Sequence, residues 1–389
     1  MSAGLYIHTP FCARICPYCD FAVATGKAAD HERFANALVQ EIEQQDQLLP
    51  GTFPTEDNSG DTRFDTIYLG GGTPSALEPE QLQQILEAVR AGLPVASDAQ
   101  ITLEANPEDV TNASAAAWHE AGVRRLSLGV QSLLDERLEF LGRAHAGAQA
   151  RAAVETARST GFDVVSIDLM FGAYGQSAAA WRSELHAAVA LEPEHVSLYQ
   201  LTYHQNTPFW RWLETGRRQE LPNSDQADLY LAAVELLGDA GYEAYEVSNF
   251  ARTGEFESRH NNKYWRHLPY LGLGPSAHSF DGRDRRWWNQ REWRDWAATL
   301  EAGRSPVADS EALTSEQLAT EAVMFGMRTR RGLDLSAAKA AWGIDLGKLN
   351  EARLALWREQ GLVEGMSVIR PTPSGMAIAD RLASSLRTS

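Results

Sequence analysis

The chain has 389 residues, 44% hydrophobic and 22% charged, with a formal net charge of −17. It is too long for one core of about 150 residues, and its composition is that of a folded globular chain rather than a fibrous or disordered one. The acidic balance repels phosphate backbones and anionic bilayers, so broad nucleic-acid or lipid-surface binding is disfavoured unless a local patch reverses the sign.

The N-terminus, Met1 to Gly4, has no charged region leading into an apolar run, so no secretory signal is expected. No stretch of about 18 apolar residues predicts a membrane helix. Short apolar runs follow at Leu5–His8, Thr66–Leu69, Gln100–Ala105, Arg125–Gly129, Val164–Leu169 and His195–Leu201. Helical patterns separate them at Asp30–Leu49, Glu78–Ala91, Ala146–Ser159, Ala178–Leu191 and Ser224–Ala240. Strand then helix, repeated, predicts an α/β fold of parallel βαβ units. The runs read as near-continuously apolar, as strands buried on both faces do. Six such units can form a partial barrel or an open doubly wound sheet, and in both the chemistry belongs at the C-terminal ends of the strands. The polar stretch 50–63 breaks the pattern and reads as a surface insertion on a core spanning 1–248. Residues 249–309 form a connecting region rich in Trp and Arg. Residues 310–389 are near neutral and mainly helical (Ser315–Arg328, Leu335–Ala341, Leu346–Gln360). They end in a β-like pair, Leu362–Glu364 and Ser367–Arg370, as in a small winged-helix module suited to docking or to a lid.

The three cysteines, Cys12, Cys16 and Cys19, fall within eight residues in the spacing C-x3-C-x2-C. An odd, clustered set is no disulfide framework; it suggests a shared metal or cluster in a reducing compartment. Three thiolates on one loop can hold three corners of a cubane iron–sulfur cluster and leave the fourth iron open. Phe11, Tyr18 and Phe21 would shield it from water. The competing readings are structural zinc, recruiting His8 or Asp20 as fourth ligand, and a chance cluster.

The string Tyr6-x-His8-x-Pro10-Phe11-Cys12-x3-Cys16-x-Tyr18-Cys19-x-Phe21 resembles the radical S-adenosylmethionine (radical SAM) superfamily. Within it, the chain is similar to the branch containing oxygen-independent coproporphyrinogen III oxidase. The resemblance implies a partial (β/α)6 barrel, a [4Fe-4S] cluster on Cys12, Cys16 and Cys19, and S-adenosylmethionine chelated at the open iron and cleaved to an adenosyl radical. Gly71, Gly72 and Thr73, in a glycine-rich turn after the second strand, match the segment that contacts the methionine part of the cofactor. Glu104, Gln131, Arg143 and Asp168 match the branch in order and placement at strand ends, and the resemblance implies that they line the cofactor pocket, with Tyr6 at its floor. After Asp168 the branch's Gly-Leu-Pro-Gly-Gln segment is replaced by Gly172-Ala173-Tyr174-Gly175-Gln176, which alters that loop.

Two features separate subgroups of the branch. Coproporphyrinogen oxidases carry a further cysteine two residues after the third, where this chain has Phe21. The string His260-Asn261-Asn262-Lys263-Tyr264-Trp265 resembles the signature of the heme chaperone group HemW. That resemblance implies heme as ligand: His260 as axial donor, Asn261 or Asn262 orienting its ring, and Tyr264 and Trp265 offering flat surface to the macrocycle. The other reading of His260 is a buried, satisfied histidine among core aromatics. Arg283, Arg285, Arg286, Arg291 and Arg294 suggest propionate or partner docking. The expectation is a cytoplasmic heme chaperone that passes heme to a respiratory protein, reached peripherally at the inner membrane face, with no nucleic-acid partner. The alternative is an oxygen-independent coproporphyrinogen III dehydrogenase.

Overall fold

The computed structural model describes residues 2–44 and 63–388. The insertion expected at 50–63, save Arg63, lies outside the described residues, as does the predicted helix Asp30–Leu49 beyond residue 44. All six expected strands form: β1 (Ala3–Thr9), β2 (Phe64–Gly71), β3 (Val95–Ala105), β4 (Arg125–Gln131), β5 (Val164–Phe171) and β6 (His195–Gln200). They lie side by side in chain order and all pair in parallel. The expected helices are Ala28–Glu43, Pro79–Gly92, Gly147–Thr160, Ala178–Val189 and Asn223–Asp239. A further one, Asn112–Glu120, fills the β3–β4 crossover; the Thr111 hydroxyl caps it by accepting from the Ser114 N–H at 3.1 Å.

The strands are not apolar on both faces, as the runs suggested. Leu5 and Ile7, Ile67 and Leu69, Leu126 and Leu128, and Val196 and Leu198 are buried against the helices in one large core. The residues between them (Tyr6, His8, Tyr68, Glu104, Ser127, Asp168) turn to the other face, because side chains alternate along a strand. The helices that connect the parallel strands cover the outer face of the sheet, and the inner face is polar.

Six more strands extend the arc. β7 (Glu243–Ala244) and β8 (Asn249–Ala251) continue antiparallel beyond β6. On the other side β9 (Tyr270–Leu273) pairs in parallel with β1, and β10 (His278–Phe280), β11 (Arg285–Asn289) and β12 (Val307–Ala312) follow antiparallel. Among the described residues the sheet does not close: β12 and β7 are its edges. Residues 249–309 thus supply five strands of the main sheet, together with the helix Trp293–Glu301 against the first helix. Buried Glu41 of that first helix accepts from the Gly274 N–H at 2.8 Å and the Asn289 amide at 2.6 Å. Those bonds fix the turn after β9 beside the end of β1.

The tail has its own core around Val323, Met327, Leu354, Trp357 and Ile369. Its small sheet has the order β13-β15-β14, from β13 (Leu333–Asp334), β14 (Val363–Glu364) and β15 (Val368–Pro371). The predicted helix Leu346–Gln360 is broken into Leu346–Leu349 and Glu351–Glu359. Asn350 breaks it: its amide donates to Leu346 O and Arg387 O, both at 2.9 Å, and accepts from the Arg387 N–H at 2.8 Å. A short amide that bonds locally competes with the helix ladder.

The tail docks on the main sheet by backbone bonds, Val247 N–H to Arg328 O at 2.8 Å and Arg330 N–H to Tyr245 O at 3.0 Å. Glu321 adds an ion-pair clasp, 2.9 Å from both Arg286 and His267. Arg286, expected as a propionate partner, is occupied by this carboxylate. Burial alone would raise the Glu321 pKa, but the hydrogen bonds from His267 and Arg286 outweigh it and bring it down to about 2. A depressed carboxyl stabilises above its unfolded value and loses that contribution as pH falls. Tail docking is therefore expected to hold above about pH 4.5 and to weaken toward about pH 2. Glu321→Gln is expected to speed protease cleavage between residues 303 and 314 at neutral pH. Unchanged cleavage would show that the backbone bonds suffice.

Candidate functional site

Every strand from β1 to β6 ends on the same rim of the sheet, and there a cleft of about 390 Å3 opens over the inner face. That volume suits a small-molecule cofactor. Cys12, Cys16, Cys19, Gly71, Gly72, Thr73, Glu104, Gln131, Arg143 and Asp168 all line it. Ten residues, from Cys12 to Asp168, come together in this one cavity.

The cysteine loop runs from β1 across the rim. Cys12 N–H bonds to Ala24 O at 2.9 Å, Cys19 N–H to Cys16 O at 3.1 Å, and Phe209 N–H to Pro17 O at 3.0 Å. The Thr73 hydroxyl donates to Cys12 Sγ at 3.4 Å, and Arg143 Nη1 donates to Cys16 Sγ at 3.5 Å. Burial pushes the Cys12 thiol up to about 11 and raises Cys19 as well. Left alone these are thiols; a bound cation reverses that order and makes them ligands. Donors already aimed at sulfur fit a thiolate-bound cluster.

Gly72 is required by close approach: a Cβ there would stand 2.7 Å from Phe11 O and 2.9 Å from Thr9 O. Gly71 has φ of 110°, and its N–H donates to Glu104 Oε2 at 3.1 Å. Tyr68 donates to the other Glu104 oxygen at 2.7 Å. Burial raises Glu104 to about 7 and Asp168 to about 6. Arg143 donates to Asn106 Oδ1 at 2.6 Å and Gly129 O at 3.0 Å, and its buried Nε has no partner among the described residues. Gln131 holds φ of 61°, a left-handed strain that persists only where its surroundings enforce it. The wall therefore offers two carboxylates for cationic groups, a guanidinium for an anionic one and a bare glycine backbone.

Some expectations need correction. Tyr6, expected at the floor, is not among the residues lining the cleft; it is half-buried and hydrogen-bonded to His8 Nδ1 at 3.1 Å. Phe11 cannot shield a cluster, because it is fully buried in the outer core, edge-on to Phe34 and Trp293. Phe21 does stand at the mouth and is 64% exposed. Asn106, Ser127, Tyr199 and His204 also line the cleft and were missed. Glu104 came from the family resemblance and its place at a strand end; strand ends and alternation would also have pointed to Asn106 and Ser127, whereas His204, on a loop after β6, carried no such signal.

The HNNKYW string does not form an open heme site. It is the short helix Arg259–Trp265, packed on β1 and β2 at the opposite end of the inner face from the cleft. His260 is 1% exposed, with Nδ1 bonded to Thr66 Oγ1 at 2.9 Å and Nε2 to Tyr264 Oη at 2.8 Å. Burial lowers its pKa to about 3. With both nitrogens engaged, His260 has no lone pair to offer an iron. Asn261 and Asn262 do not orient it: Asn261 N–H bonds to Ser258, and the Asn262 amide to Glu257. The face of Tyr264 meets Tyr270, and Trp265 packs edge-on to Phe325 of the tail.

The radical SAM superfamily model matches residues 6–186, and a HemN C-terminal domain model matches residues 313–378. The fold and the cysteine-lined cleft thus define a radical SAM protein, a class that uses a [4Fe-4S] cluster and S-adenosylmethionine. Over 359 residues the chain is 33% identical to the heme chaperone HemW of Bacillus subtilis, covering 92% of each chain. It is 38% identical to HemW of Escherichia coli over 71% of this chain and 69% of that one. The chain belongs to the HemW family. Among solved structures, coproporphyrinogen III oxidase (HemN) of Escherichia coli matches 98% of this chain and 89% of its own, with a TM-score of 0.81 at 22% identity, a likeness of fold.

Two outcomes are expected at the cleft. Cys12→Ser, Cys16→Ser and Cys19→Ser should each abolish bound iron and sulfide after anaerobic reconstitution; retained iron in any of them would remove that thiol from the ligand set. Glu104 and Asp168 lose protons between about pH 6 and 7, so affinity for S-adenosylmethionine should rise across that interval. Glu104→Gln should flatten the rise and weaken binding about tenfold, the scale of a lost charge-assisted contact. Isothermal titration at pH 6 and pH 8 reads both.

Proposed function

We propose that this protein is a heme chaperone: it binds heme and passes it to an acceptor protein. The observation that carries the reading is identity of 33% over 92% of both chains to a protein named heme chaperone HemW, where the likeness to coproporphyrinogen III oxidase is one of fold. A second supports it: Phe21, not a thiol, stands exposed at the cleft mouth.

When bound, a [4Fe-4S] cluster with S-adenosylmethionine supplies one-electron cleavage of a sulfonium. The chain does the rest. Cys12, Cys16 and Cys19 would hold the cluster, and Thr73 and Arg143 donate hydrogen bonds to two of the sulfurs. Glu104 and Asp168 take cationic groups of the nucleotide, Arg143 steadies the cleft through Asn106, and Gly71 and Gly72 let the ligand lie against main chain. The Asp20–His204 contact at 3.3 Å joins the cysteine loop to the loop after β6 at the mouth and limits entry of water.

The acceptor in this reading is a respiratory heme protein, and the chaperone works in the cytoplasm, meeting the inner membrane face peripherally. No helix among the described residues is long and apolar enough to cross a membrane. The test is a paired assay on anaerobically reconstituted protein. Hemin should bind and move to an apo-acceptor, while coproporphyrinogen III with reductant and S-adenosylmethionine should remain unconverted. Turnover without hemin binding would reverse the assignment.

A further inference from the structure

With His260 engaged at both nitrogens, a heme-binding protein needs another donor. Ten histidines are available. His8, His145, His195 and His260 each use both ring nitrogens inside the fold. His204 and His267 pair with carboxylates, and His31 bonds to a backbone carbonyl. His119 and His186 lie on outer helices. His278 differs from the hydrogen-bonded histidines in its free ring, and from His119 and His186 in lying on the sheet. It is exposed, neither ring nitrogen has a hydrogen bond among the described residues, and its ring stacks on Trp288 at 5.6 Å and 24°.

Its position follows from strand alternation. Ser279 and Trp287 are cross-strand partners, and Trp287 is 1% exposed in the core beneath the outer helices. The neighbouring pair, His278 and Trp288, therefore turns to the inner face. The tail's Glu321 meets that face at Arg286, two residues before Trp288 on β11. His278 begins β10, just after the turn from β9 that abuts His8. This is the end of the sheet that carries the cleft. Arg291, just beyond β11, reaches Asp20 O of the cysteine loop at 3.5 Å, next to exposed Phe21.

We propose that the inner face of β10 and β11 is a heme-binding shelf, with His278 as an axial iron ligand and Trp288, stacked on its ring, as the brace that holds the imidazole in place. The inference rests on the heme-chaperone reading and gives it a site. The iron takes a neutral imidazole nitrogen. Burial and the nearby Arg286 lower the His278 pKa, while Glu311 opposes them, so the ring is neutral at physiological pH. The macrocycle lies toward Phe21, and the Arg291 guanidinium meets a propionate, since planar guanidinium and carboxylate match. Heme placed so adjoins the cofactor cleft without entering it.

The experiment titrates hemin into the reconstituted full-length chain, read by the Soret band and by the low-spin signal in electron paramagnetic resonance. Wild type should show histidine ligation. His278→Ala should lose the low-spin signal and weaken binding by about tenfold or more, the scale of a lost metal-site contact. Added imidazole should restore the signal. Trp288→Ala should weaken binding while keeping the ligation signature. Unchanged cluster iron in both variants shows that the fold is kept. If His278→Ala binds hemin with wild-type affinity and spectrum, the shelf is wrong and the chaperone reading stands. If wild type binds no hemin, the chaperone reading falls and takes the shelf with it.

Discussion

The inner face of the sheet carries tyrosines, histidines, carboxylates and an arginine where a packed barrel would carry aliphatic side chains. A buried polar group without a partner costs about 1–3 kcal/mol, so this fold depends on those groups satisfying one another. They do so in tiers. At the floor, His260 joins Thr66 to Tyr264 and stacks on Tyr68. One tier up, Tyr68 reaches Glu104, and Glu104 reaches the glycine turn. At the rim, Thr73 and Arg143 reach the cysteine sulfurs. A continuous set of hydrogen bonds and stacked rings thus links the HNNKYW helix to the cofactor cleft, and networks of this kind fix geometry beyond the worth of their separate bonds. A structural reason for that string follows: the histidine and tyrosine serve each other and the floor.

The chemistry of the cleft and the binding of a tetrapyrrole make different demands. Cleavage of a sulfonium needs an enclosed, dry wall with fixed donors, which the ends of β1 to β6 supply. A cargo that must leave again needs an open face and a replaceable ligand. β9 to β12 supply such a face, outside the parallel core but continuous with it. In the proposed arrangement the same sheet hosts both, because β9 to β12 extend it beyond β1 and leave the cleft open.

Much of this was legible in the sequence. The six parallel strands and their helices followed from apolar runs and helical periodicity, and the cysteine spacing with the strand-end residues assembled one cleft. The polarity of the inner face was not legible, because Tyr6, Tyr68 and Tyr199 count as apolar in a run yet use their hydroxyls or rings on the polar side. Asn350 sat inside a helical period and broke it through a bond to Arg387, a contact no local pattern contains. His260 read as a ligand because nothing in its own segment announces Thr66, 194 positions earlier. His278 carried no motif at all; only the register of β10 against β11 brings it beside Trp288.

The Arg286 clasp has a consequence for the tail. One guanidinium both anchors Glu321 and stands beside His278. Were the winged module to lift, that positive charge would be released next to the shelf, and the local potential there would swing toward attraction of a dianionic guest. Docking of the module and grip on a cargo at the proposed shelf are in this way opposed ends of a single electrostatic lever.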